Sequence, residues 1–323
     1  MKIEDSVDDP LCSLSSRPVQ PPSYSTPPNS IQPPPKSKCG LIPSVANVPT
    51  LVSFQKVVGE VLNMRRALTT PNTNFLVQGA SRGLGLSFVE HFLTHAHPSS
   101  TILATCRDPT NVDPLLTTLV EKHHGRCLVL PLDVEHPATI QQCAAAVQQS
   151  HGTIDVLLNV AGLLHDTHHM PERKIADVQQ EWLLKSMAVN AVGPLLVTQA
   201  FSPMMDGKRD GRGDTLVCNL SARVGSIGDN RLGGWTSYRM SKAALNMSTK
   251  NCSIELKRQG TAVVSMHPGT CDTDLSVPFQ KNVAPGKLFA KEYAVAHMTK
   301  VLKGLTLEDT GLAYAWDGKV VPW

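Results

Sequence analysis

Tyr238 and Lys242 stand four residues apart in a stretch, residues 235–258, whose pattern predicts a helix. That spacing puts both side chains on one helix face. A tyrosine alone titrates at about 10, too high to trade protons readily at neutral pH. A fixed positive charge beside it favours the phenolate, so the pair predicts a phenol of lowered pKa. Ser221 closes the apolar run 215–220, which predicts a strand, and therefore falls at that strand's C-terminal edge. A serine hydroxyl aimed at the same point would polarise a carbonyl oxygen. Phenol, ammonium and hydroxyl together suit carbonyl–alcohol chemistry by general acid–base catalysis. Tyr-x-x-x-Lys also decorates many helix surfaces, so its meaning depends on the elements that carry it.

From residue 74 onward, short apolar runs alternate with helical periodicity. Strands are predicted at 75–77, 101–105, 127–132, 154–159, 215–220, 262–266 and 312–316. Helices are predicted at 83–94, 112–123, 138–149, 182–201, 235–258 and 291–303. This alternation predicts an α/β fold: a single doubly wound, Rossmann-type parallel sheet of about seven strands with helices on both faces. Such sheets take ligands past the C-terminal ends of their strands. Ser221, Pro268-Gly269 and the turn after the first strand all fall there.

That turn reads Gly79-Ala80-Ser81-Arg82-Gly83-Leu84-Gly85. Glycines let the backbone approach an anion closely and adopt positive φ, and the helix that follows offers free N–H groups. A dinucleotide phosphate site is expected here, with Ser81, Arg82 and Leu84 in the turn itself. NAD binders usually carry an acid at the end of the second strand to hold the ribose. Here Cys106 takes that place, Arg107 follows it, and Arg82 lies nearby in the turn. Two guanidinium groups suit a 2′-phosphate by charge and by forked donors, so NADP(H) is expected over NAD(H). Asp108 competes with this reading; turned toward the ribose, it would weaken the preference.

Several motifs occur in a telling order: Gly79-x-x-x-Gly83-x-Gly85, Asp133, Asn159-Val160-Ala161-Gly162, Asn190, Ser221, Tyr238-x-x-x-Lys242 and Pro268-Gly269. In that order they resemble the short-chain dehydrogenases/reductases, over residues 74–323. The segment 267–276 with Pro278-Phe279, and the closing Trp316-Asp317-Gly318 and Pro322-Trp323, resembles the C-factor-like branch. The resemblance implies that Tyr238 is the acid or base at the substrate oxygen, and that Lys242 lowers its pKa and binds the nicotinamide ribose. It implies that Ser221 holds the substrate oxygen and that Asn190 fixes a water feeding protons to the lysine. Asp133 would meet the adenine, Asn159, Ala161 and Gly162 would line the adenosine side, and Thr273 would touch the nicotinamide carboxamide. Two departures from the family pattern, Gln78 before the first glycine and Val160 in place of a second Asn, fall outside the catalytic positions.

With 41% hydrophobic residues the chain can bury a large core, and a formal charge of +3 is too small to argue for nucleic acid or an anionic membrane. No C-x-x-C pair occurs among the 8 cysteines, which suits reduced, mostly buried thiols and a cytoplasmic protein. No apolar run is long enough to span a membrane. Residues 1–50, rich in proline and serine, are expected to be a disordered leader, and the acids near its start argue against organelle targeting. Residues 51–73 read as a linker with a short helix, and 74–323 as the catalytic domain. The histidines of 165–169 lack a partner cluster of metal spacing and read as a solvated loop, so no metal is expected. His267 reads as a packing residue.

The expected function is an NADP(H)-dependent oxidoreductase acting on a small-molecule carbonyl or alcohol. The alternative is a dinucleotide-binding signalling or regulatory protein on the same scaffold. The substrate would be set by loops 225–234 and 270–285 and the region of His165. The two long helices, 182–201 and 235–258, could pair between subunits of a homodimer or homotetramer, as the family often does.

Overall fold

The computed structural model of the protein describes residues 64–209, 211 and 213–323. The leader and residues 51–63 of the linker lie outside the described residues. A short helix, α1 (Met64–Thr69), precedes the first strand and buries Leu68.

The alternation then runs β1 (Asn74–Gln78), α2 (Gly83–His95), β2 (Thr101–Cys106), α3 (Pro114–Lys122), β3 (Cys127–Pro131), α4 (Pro137–Ser150) and β4 (Val156–Asn159). It continues through α5 (Gln180–Met187), α6 (Gly193–Phe201), β5 (Thr215–Leu220), α7 (Thr236–Leu256), β6 (Thr261–His267), α8 (Lys291–Gly304) and β9 (Ala313–Ala315). The seven strands form one sheet in the order β3-β2-β1-β4-β5-β6-β9, every pair parallel. The strand order reverses beside β1, which opens a crevice between the C-terminal ends of β1 and β4. A separate pair, β7 (Thr270–Cys271) and β8 (Leu288–Phe289), was not expected from the sequence.

Both sheet faces are covered. Every residue of β1 is buried, with Phe75 and Val77 in one core cluster and Leu76 in another. Phe75 stacks on Phe92 of α2 with ring centroids 4.6 Å apart. Burial on both sides explains why the strands read as continuous apolar runs instead of alternating ones.

One expectation needs correction. The helix predicted over 182–201 is interrupted by a π turn, Ala188–Val192, in which the Gly193 N–H bonds back to the Ala188 carbonyl. Pro194 has no N–H with which to continue the regular ladder, and its ring crowds the turn before it. Gly193 is the residue that permits the fit: a Cβ there would stand 2.6 Å from the Val134 Cβ. Asn190 sits in the middle of this π turn, fully buried.

Candidate active site

β5 delivers Ser221, whose main-chain N–H donates to the Met266 carbonyl at 2.8 Å, fixing it at the sheet's edge. α7 delivers Tyr238 and Lys242. Lys242 is buried; its ammonium donates to the Leu220 carbonyl at 2.8 Å and lies 5.8 Å from the Tyr238 ring centroid. A Cβ on Gly162 would stand 3.5 Å from Asn190 Oδ1 and 3.7 Å from Lys242 Nζ, so both groups face the turn after β4. Asn190 Oδ1 accepts from Leu163 N at 2.7 Å, and its Nδ2 donates to the Leu163 carbonyl at 2.7 Å and to Ser241 Oγ at 2.9 Å. The structure thus gathers Asn190, Lys242 and Tyr238 around one turn, with Ser221 next in chain to the carbonyl that holds the ammonium.

The charge balance differs from the sequence expectation. Burial pushes the Tyr238 phenol above its usual range and pulls Lys242 down to about 8. Loss of water around a phenolate outweighs the neighbouring ammonium.

Two residues that the sequence did not single out support this face. Asn246 lies one turn beyond Lys242, so Tyr238, Lys242 and Asn246 follow at four-residue steps along α7. Ser221 Oγ donates to Asn246 Oδ1 at 2.7 Å, and Asn246 Nδ2 donates to the Gly225 carbonyl at 3.3 Å. Continuing the four-residue spacing would have found it. Glu172 is buried, and its carboxylate accepts from Ser237 N at 3.2 Å and from the Ser237 hydroxyl. A carboxylate from a distant loop thereby caps the first turn of α7, where the helix dipole favours negative charge. No local pattern announces that contact.

The glycine turn fits a nucleotide phosphate. Gly79 takes φ +84°, and a Cβ on it would lie 2.7 Å from Ala161 N, so the turn closes tightly on the strand beside it. The first turn of α2 contains no acid, leaving its N–H groups free to meet an anion. Ser81 and Leu84 belong to this turn and to the start of α2, and Arg82 stands exposed at the helix entry. Gln78 has a role here: its Oε1 accepts from Ala161 N at 3.2 Å and ties β1 to the end of β4. Thr273 reaches back over the turn; a Cβ on Gly83 would stand 3.9 Å from its methyl group. Arg82 pairs with Asp274 at 3.5 Å, both side chains largely exposed.

Arg107 is exposed past β2. The Asp108 carboxylate accepts from Thr110 N at 2.9 Å and from its hydroxyl at 2.6 Å, within its own turn. Asp133 likewise accepts from Glu135 N at 3.0 Å and meets His136 Nδ1 at 3.1 Å. The Asn159 amide turns inward, to Asn219 Oδ1 at 2.8 Å and Thr198 Oγ1 at 3.2 Å. What Asn159 offers the crevice is therefore its backbone. Pro268 and Gly269 lead from β6 into β7, with Gly269 at φ +79° against the Phe289 ring.

In the histidine loop, Asp166 accepts from His168 N and His169 N and pairs with His169 Nδ1 at 2.9 Å. Burial holds His267 down to about 4. Cys106, Cys127, Cys143, Cys218 and Cys271 are buried free thiols. Among the described residues no helix is long and apolar enough to cross a membrane, and no group of three or more His, Cys, Asp or Glu could hold a metal ion.

Residues 73–284 match the family model described as short chain dehydrogenase. An uncharacterised oxidoreductase of Schizosaccharomyces pombe is 28% identical over 266 residues, covering 79% of this chain and 100% of the relative. The C-signal protein of Myxococcus xanthus is 35% identical over 180 residues, covering 56% of this chain and 99% of the relative. Among solved structures, an NADPH-bound carbonyl reductase from chicken fatty liver superposes with a TM-score of 0.70 at 32% identity, covering 79% of this chain and 100% of that one.

Proposed function

Because the chain belongs to the short-chain dehydrogenase family, we propose that it is an NADP(H)-dependent reductase of small-molecule carbonyl compounds, with Tyr238 as the proton donor. The observation that carries this reading is the alignment of the half-buried Tyr238 with Lys242 and Asn246 on one face of α7, the ammonium 5.8 Å from the phenol ring and Asn246 bonded to Ser221.

When bound, a reduced nicotinamide would supply the hydride. Gly79, Ser81, Gly83, Leu84, Gly85 and the free N–H groups of α2 receive the phosphates. Arg82 and Arg107 take the 2′-phosphate; Asp108 does not oppose them, since its carboxylate is turned to Thr110. Asp133 and the backbone of Asn159, Ala161 and Gly162 border the adenosine, and Pro268, Gly269 and Thr273 the nicotinamide end. Tyr238 gives its proton to the substrate oxygen, which Ser221 steadies, and Lys242 returns a proton to the phenol, resupplied by a water that Asn190 holds. The NADPH carried by the chicken carbonyl reductase supports the cofactor assignment.

The experiment is NADPH and NADH oxidation with a panel of aldehydes, ketones and quinones. Turnover is expected with NADPH at least tenfold above NADH, and Arg107→Asp is expected to move selectivity toward NADH. No turnover with either nucleotide would contradict the reading. The C-signal relative favours one alternative, a dinucleotide-binding signalling protein with little turnover, and that outcome would select it.

A further inference from the structure

The three loops expected to set the substrate meet in a chain of aromatic rings that ends on Tyr238. Trp235, at the end of loop 225–234, packs edge-on against Tyr238, centroids 6.3 Å apart. Phe279, from loop 270–285, lies 5.0 Å from Trp235. His165, from the loop after β4, meets Phe279 edge-on at 5.9 Å. Ring packing alone would be an ordinary way to pin loops, but two further observations point to a ligand. His165 Nε2 is buried and has no hydrogen-bond partner among the described residues. A buried polar atom of that kind normally has a partner. Trp235 also adopts φ +51°, a left-handed backbone that bulky residues rarely take and that concentrates at functional sites. It is held there by its N–H donating to the Glu172 carbonyl at 2.6 Å, and the strain sets the indole beside the phenol.

We propose that this protein takes an aromatic carbonyl compound bearing a second polar group, its ring packed on Trp235 and Phe279 and its polar group hydrogen-bonded to His165 Nε2. The inference rests on the reductase reading for the chemistry but not for the binding. Aromatic edges and faces favour a planar π system over a saturated ring of equal size. A site built around a polar atom that must be satisfied rejects analogues lacking the matching group.

Benzaldehyde, 3-hydroxybenzaldehyde and cyclohexanecarbaldehyde separate these contributions. The wild type is expected to show kcat/KM about tenfold higher for benzaldehyde than for cyclohexanecarbaldehyde, and a further several-fold for the hydroxyl compound. Phe279→Leu and Trp235→Asn, the latter chosen because Asn tolerates left-handed backbone, should level the first step. His165→Leu should remove only the second. Equal kcat/KM for benzaldehyde and cyclohexanecarbaldehyde in the wild type would overturn the proposal, as would His165→Leu lowering all three alike. Should Trp235→Asn fail to fold, Phe279→Leu on its half-buried loop carries the first test. Calorimetric binding of the three compounds to the protein in the presence of NADP+ needs no turnover. The same ranking in binding without any reduction would keep this inference and contradict the reductase reading. Reduction without the ranking would do the reverse.

Discussion

Ser221 has a single proton, and the structure assigns it to Asn246 Oδ1. The amide cannot readily reverse, because its Nδ2 is engaged with the Gly225 carbonyl. To steady a substrate oxygen, Ser221 must therefore turn this proton from Asn246 toward the crevice, and Asn246 sets how readily it does so. If Asn246 acts only through Ser221, Asn246→Leu should cost about tenfold in kcat in the wild type and nothing further in Ser221→Ala. A double-mutant cycle reads this directly; equal losses in both backgrounds would show that Asn246 acts elsewhere. Lys242 makes a separate prediction. Its folded pKa, about 8, lies below the value of about 10.5 in the unfolded chain. Between those values the unfolded chain binds the extra proton, so stability rises with pH, and the burial penalty is present in full below 8. Urea unfolding at pH 7 and 9.5 should show the wild type gaining roughly 1–2 kcal/mol relative to Lys242→Met. A pH-independent difference would mean that Lys242 keeps its ordinary pKa.

At the level of elements, what was legible was whatever repeats locally. Strand and helix periodicity located the seven sheet strands and the Tyr-Lys face of α7. The π turn was not legible as such, because the apolar pattern of 182–201 runs straight through it; Pro194 was the one local sign. The cap on α7 was hidden for a different reason. Glu172 precedes Ser237 by 65 residues, and only the folded chain joins them. The environment of the phenol was only half legible, because spacing reveals a neighbouring charge but not the burial that opposes it. Glu172→Ala leaves the first turn of a 21-residue helix uncapped in a buried setting. It should lower stability by about 1–3 kcal/mol in equilibrium unfolding, and turnover with it. Unchanged stability would mean that the carboxylate contributes no net support.

For the molecule as a whole, the reversal of strand order puts β1, β4 and β5 side by side, and with them the glycine turn, Gly162 and Ser221. α7 crosses behind them carrying the phenol and ammonium. This arrangement makes the sheet a positioning device, and the proposal that rests on it is proton donation by Tyr238. The most direct test is transfer of deuterium from 4-deuterated NADPH to an aldehyde by the wild type and by Tyr238→Phe. The account predicts a deuterated alcohol from the wild type and at least a hundredfold loss in Tyr238→Phe, with NADPH affinity within about threefold of the wild type. Deuterated alcohol formed at an undiminished rate by Tyr238→Phe would contradict it.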